Sequence, residues 1–144
     1  MKKESHRLEA TSDSVKDRIA ARIKLYPQAG HLPCAVAHYI AAELGVTPLE
    51  VGETADELGV RVTMCQLGFF GYAVKGRPSY RIRQPMENVP PELRQAIEQV
   101  LVNGRAPCAA VWALATRFEL SRLEMGNALE GLNVRVKPCQ LGCF

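Results

Sequence analysis

No apolar run in these 144 residues approaches the roughly 18 to 20 needed to cross a bilayer, and no apolar stretch follows the opening Met1-Lys2-Lys3-Glu4-Ser5-His6-Arg7. The expectation is a soluble, cytoplasmic protein without membrane contact. His-Glu-x-x-His, Gly-x-x-x-x-Gly-Lys-Ser/Thr and Gly-x-Gly-x-x-Gly are all missing, and there are only three histidines. The commonest catalytic and phosphate-cradling signatures are thereby removed, and the chain does not read as an enzyme. A strong charge excess is lacking too. Eighteen Lys and Arg stand against fifteen Asp and Glu, a net +3 that announces no nucleic-acid partner unaided. With 47% apolar and 23% charged residues, disorder and a collagen-like chain are excluded, and the length suits one ordinary domain or two very small ones.

What is present is a repeat. Sliding the sequence by 74 positions aligns 30–70 with 104–144 without a gap, and seventeen of the forty-one pairs are identical. They include Pro33/Pro107, Cys34/Cys108, Leu49-Glu50/Leu123-Glu124, Gly52/Gly126 and Val60-Arg61-Val62/Val134-Arg135-Val136. The match ends in Cys65-Gln66-Leu67-Gly68 and Cys139-Gln140-Leu141-Gly142. The division that follows is a tail at 1–13, a first unit at 14–70, a linker or β-hairpin at 71–89 and a second unit at 90–144.

Each unit reads as three helices and a short strand. Ile19, Ala20 and Ile23 mark the inner face of a helix over 14–25, and Pro90-Pro91-Glu92 opens its partner, which is expected to end at Asn103-Gly104. The next helix starts beside Pro33 or Pro107 and carries Ala37, Ile40, Ala41 and Leu44, or Val111, Leu114, Ala115 and Phe118, as a buried stripe. Thr47-Pro48-Leu49-Glu50 and Ser121-Arg122-Leu123-Glu124 both spell a capping box, which explains the repeated Glu without catalysis. Val60-Arg61-Val62 and its repeat alternate as strands do, and Tyr72, Val74, Tyr80 and Ile82 alternate around Gly76-Arg77-Pro78 as in a hairpin. The expected fold is mainly α with short β-strands. Gly52 and Gly126, in mid-helix, suggest close approach of another backbone, most simply a crossing helix.

The stretch Ile40-Ala41-Ala42-Glu43-Leu44-Gly45-Val46-Thr47-Pro48-Leu49-Glu50-Val51 resembles the helix-turn-helix motif of bacterial regulators, with Gly45 as the turn and Thr47 as the cap. The second copy has Glu119 where that glycine stood. With a strand and hairpin following, the first unit resembles a winged helix whose wing is 72–83. The resemblance implies tandem winged-helix-like units, which commonly bind DNA but also serve in protein assembly.

Charge tests the DNA reading. A helix in the major groove lies between rows of phosphates, so its outer face should be basic or neutral. The first unit's candidate helix instead carries Glu50, Glu53, Asp56 and Glu57, a face suited to a basic protein partner. The second offers Arg122 and Asn127, and the hairpin offers Lys75, Arg77, Arg81 and Arg83 interleaved with Tyr72 and Tyr80. These six are the candidate contacts to duplex DNA. A protein-interaction or cofactor-holding module is the rival, and pairing of the chain with a second copy stays open.

Cys34 and Cys65 lie 31 residues apart, as do Cys108 and Cys139. Three roles remain open for them: core packing, a metal site and a reversible redox role. As a metal site, four thiolates would suit zinc or a four-cysteine iron-sulfur cluster between the units, although no Cys-x-x-Cys is present. Cys34 and Cys108 each open a helix, where free N-H groups should lower a thiol pKa, and the placement could bring the two sulfurs of a unit together. A separate set of Cys34, His38, Cys65 and His31 is conceivable, but Trp112 and Arg105 stand at the histidine positions of the second unit. Trp112 is expected to be a packing anchor. Cys143, outside the repeated set, is expected to be exposed and reactive.

Overall fold

The computed structural model describes residues 15–26, 30–74, 77–80 and 82–144. The described residues are mainly helical, with six helices and a few short strands. Helix α1 covers 15–25. Strand β1 (His31–Pro33) leads directly into α2 (Cys34–Leu44), followed by α3 (Pro48–Glu57) and β2 (Arg61–Thr63). A connecting hairpin, β3 (Tyr72–Val74) with β4 (Arg77–Tyr80), precedes α4 (Pro91–Val100), β5 (Arg105–Ala106), α5 (Cys108–Arg117), α6 (Arg122–Gly131) and β6 (Arg135–Val136).

Local chemistry explains most of these bounds. Pro33 and Pro107 are extended residues with no backbone N-H to donate, and they sit just before the first turns of α2 and α5. Thr47 and Ser121 accept from the N3 backbone N-H at 3.1 and 3.0 Å, while Glu50 and Glu124 accept in return from the cap N-H at 2.8 and 3.0 Å. Both capping boxes are therefore formed. Gly45 closes α2 in the left-handed region at φ 68°, and Glu119 takes the same turn at φ 56°. A glutamate there is strained where glycine is not.

The strands differ from the sequence expectation in one respect. They form parallel pairs that alternation alone does not reveal: His31, Leu32 and Pro33 against Arg61, Val62 and Thr63, then Arg105 and Ala106 against Arg135 and Val136. The second register is the first advanced by 74 positions. Helix α4 also ends earlier than the Asn103-Gly104 signal suggests, because Leu101 is already extended and Val102 bridges back to Arg105. In the connector, β3 and β4 pair antiparallel through Tyr72 with Tyr80 and Val74 with Arg77.

Two cores result. The first contains Ile19, Ile23, Leu32, Ala37, Ile40 and Val51, and the second Leu93, Ile97, Val111, Met125 and Leu129 among others. Each is completed by the other half of the chain. Leu141 lies in the first core, and Leu67, with Cys65, lies in the second. The two Cys-Gln-Leu-Gly loops are thus exchanged.

Candidate functional site

The exchange rests on glycine. A Cβ on Gly52 would sit 1.9 Å from the Leu141 carbonyl oxygen, and one on Gly126 would sit 1.9 Å from that of Leu67. The close approach expected at these glycines comes from a loop carbonyl, not from a crossing helix. Added atoms at Gly68 and Gly142 would likewise strike Leu123 and Leu49 at 2.7 and 2.8 Å. Each loop is therefore seated on the helix of the opposite half through reciprocal contacts.

Seating the loops moves the cysteines. Cys65 joins Cys108 in the second core, and Cys139 packs against the core that holds Cys34. Each core thus contains one thiol from either half, while the two thiols of one unit stay within electrostatic reach of each other, as the 31-residue spacing allows. All five cysteines are free. Cys34 lies close enough to Cys65, Cys108 and Cys139 for the charge of each to act on it.

Backbone donors surround the sulfurs. The N-H groups of Phe69, Leu67 and Gly68 donate to Cys65, and those of Cys143, Leu141 and Gly142 donate to Cys139. Gln66 N-H donates to Cys34, while Gln140 gives Cys108 both its backbone N-H and its side-chain amide, the latter at 3.4 Å. These are small nests of peptide N-H groups folded around sulfur.

Burial nevertheless dominates at the helix starts. It pushes the Cys34 thiol up to about 12 and raises Cys108 and Cys65, against the donors that favour the thiolate. The lowered pKa expected at these helix N-termini is not what the structure shows, since desolvation in a nearly dry site outweighs the helix end. Cys139 differs. The Cys143 thiol hydrogen-bonds to it and draws its pKa down, while the same bond raises Cys143, which is exposed as expected.

His38 and Trp112, which correspond at the 74-residue offset, stack with ring centroids 4.3 Å apart. Trp112 packs against both cores, in keeping with an anchor. The His38 ring is lowered to about 4, first by burial and then by the Arg122 charge. His31 is exposed on β1 opposite Arg61, so the separate set of Cys34, His38, Cys65 and His31 is not assembled. Among the described residues, no three or more of His, Cys, Asp and Glu form a group that could hold a metal ion.

Three of the six DNA candidates are engaged within the chain. Arg122 lies 3.7 Å over the Trp112 ring and donates to the Gln66 side chain at 2.8 Å. Asn127 Oδ1 accepts from the Gln84 backbone at 2.9 Å, and its carbonyl accepts from Met86 N-H at 3.0 Å. The Arg83 side chain, only 5% exposed, pairs with Glu130 and caps the Phe69 ring at 3.6 Å. Sequence suggested outward-facing groups; Arg122 is exposed, and the segment 82–86 laid along α6 explains the difference at Arg83 and Asn127. Lys75 and Arg81 lie outside the described residues, and Arg77 is placed in β4 by its backbone alone.

The acidic face stays outward. Glu50, Glu53, Asp56 and Glu57 are exposed, although Glu50 is occupied in capping and Glu57 meets Lys16 at 3.4 Å. Glu53 and Asp56 form one wall of a cleft of about 1500 Å³, with Arg61, Arg105, Arg135 and Lys137 among its other lining residues. Among the described residues, no helix is long and apolar enough to cross a membrane. No protein-family model, curated protein or solved structure matches the chain.

Proposed function

We propose that this chain is a non-enzymatic regulatory module built from two tandem winged-helix-like units, whose shared four-cysteine junction responds to a bound metal cofactor or to redox state. The observation that carries this reading is that loops exchanged between the halves put one thiol from either half in each core and bring the other three sulfurs within electrostatic reach of Cys34. Ordinary packing cysteines need no donors, whereas these sulfurs each receive at least one backbone N-H. The matching bounds of α2 with α5 and α3 with α6 support the tandem arrangement.

Thermal unfolding tests the responsive junction. Protein kept reduced and anaerobic is compared with samples treated with a chelator or with a mild thiol oxidant. The midpoint should move by several degrees under at least one treatment; three superimposable curves would remove the reading.

A second reading, contact with duplex DNA, is favoured by the β3–β4 hairpin, which stands where a wing would and carries Arg77. With Arg83, Arg122 and Asn127 turned to internal partners, that contact would fall to Lys75, Arg77 and Arg81. Binding to random duplex should then weaken steeply with salt, and no binding at low salt would leave the acidic face and a basic protein partner as the alternative.

A further inference from the structure

The geometry points to the class of cofactor: we propose that Cys34, Cys65, Cys108 and Cys139 ligate one polynuclear iron-sulfur cluster held between the two halves. This inference rests on the responsive junction proposed above and specifies what occupies it. The ligand set comes first. Four free cysteines converge, two from helix starts and two from exchanged loops, and an all-thiolate set selects soft metals and iron-sulfur clusters over oxygen-seeking ions.

Spacing decides between a single ion and a cluster. Tetrahedral zinc draws every sulfur to about 2.3 Å from one centre, so four thiolates must crowd together. The described residues contain no such crowded group, yet Cys34 is within electrostatic reach of all three other sulfurs. A cluster interposes several irons and bridging sulfides between its thiolates, so its ligands lie in mutual reach without forming the tight set that one ion requires.

The donors give an independent reason. A neutral thiol is a weak acceptor, and three peptide N-H groups turned on one buried sulfur are poorly used until that sulfur carries charge. Cys65 and Cys139 each have three, at positions that correspond at the 74-residue offset. Thiolates bound to iron are charged, and hydrogen bonds to their sulfurs are among the features that set cluster potentials. Gln66 and Gln140, which each follow a loop cysteine and reach the helix-start sulfur of the same half, would serve as positioning residues. Cys143 belongs to none of the four ligand positions.

The test uses the full chain, purified without oxygen and incubated with an equal mixture of ferric and ferrous iron and with sulfide, or separately with zinc. The expected product is brown, retains iron and acid-labile sulfide in equal amounts after desalting, and loses visible absorption on reduction with dithionite. Cys34→Ser, Cys65→Ser, Cys108→Ser and Cys139→Ser should each lose that absorption, whereas Cys143→Ser should keep it. The iron-to-sulfide ratio of the unaltered chain decides the matter even where a serine variant folds poorly. Retention of one zinc per chain with no iron or sulfide would overturn the cluster and spare the responsive junction. Retention of neither metal, with all the thiols freely titratable, would overturn the cluster; unchanged unfolding curves in the earlier experiment would then remove the junction as well.

Discussion

Helices α3 and α6 hold corresponding places, start from the same capping box and receive the same kind of loop carbonyl on a mid-helix glycine. Their outer faces part company. That of α3 presents Glu53 and Asp56 to an open cleft, while α6 is overlaid by residues 82–86, with Asn127 bonded to Gln84 and Met86. The halves share the glycines and loop leucines through which they grip each other, and they differ on the outer faces of these two helices. Those differing faces set what each half can show to a partner.

Four measurements would break or sharpen this contrast. The largest effect is expected at the exchanged leucines. Leu67→Ala and Leu141→Ala, at positions 1% and 3% exposed, should each cost about 2 to 5 kcal/mol by urea unfolding. Hydrogen exchange should rise most in the half opposite the substitution; a rise confined to the mutated half would refute the exchange. Next come Gly52→Ala and Gly126→Ala, where the new methyl meets backbone and cannot be relieved by a rotamer. Each should lose about 1 to 3 kcal/mol, and unequal losses would show that the two grips differ.

The third measurement concerns the one aromatic pair that breaks the likeness, His38 against Trp112. Folded His38 titrates at about 4, below its ordinary 6.5, so the unfolded chain binds the proton first. Its contribution to stability is complete above about pH 6.5 and is lost as pH falls towards 4, and solvent screening of the half-buried ring holds it to about 1 kcal/mol. Replacing it with Phe should flatten the decline between neutral and acid urea curves; an unaltered slope would assign the decline to other groups. The smallest effect is at the turns. Glu119→Gly should stabilise by about 1 kcal/mol by relieving a left-handed residue, whereas Gly45→Glu should cost a similar amount. Opposite signs in thermal midpoint are the expected result.

Much of this fold was legible from sequence because its signals are local. Proline before a helix, a hydroxyl three residues ahead of Glu, and a glycine at a turn act through neighbouring backbone groups, and each stands where the pattern placed it. The exchange was not legible. A 74-residue offset shows that two segments are alike, but a loop alike in both halves satisfies the pattern equally well against either core. Hence the repeat marked the four cysteines as a set but could not show that each core takes one thiol from either half. The partners of Arg83, of Asn127 and of the exposed Arg122 were hidden for a related reason. Charge and polarity suggested solvent, whereas a guanidinium also stacks on an aromatic ring, as Arg122 does on Trp112 and Arg83 does on Phe69.

The reciprocal seating of Leu67 and Leu141 has a bearing on how the chain can be divided. Cutting the connector between β4 and α4 would sever no core, because each fragment would still plug its neighbour. The nicked protein should behave as a two-chain complex, and either fragment produced alone would carry an open socket that only the other can fill.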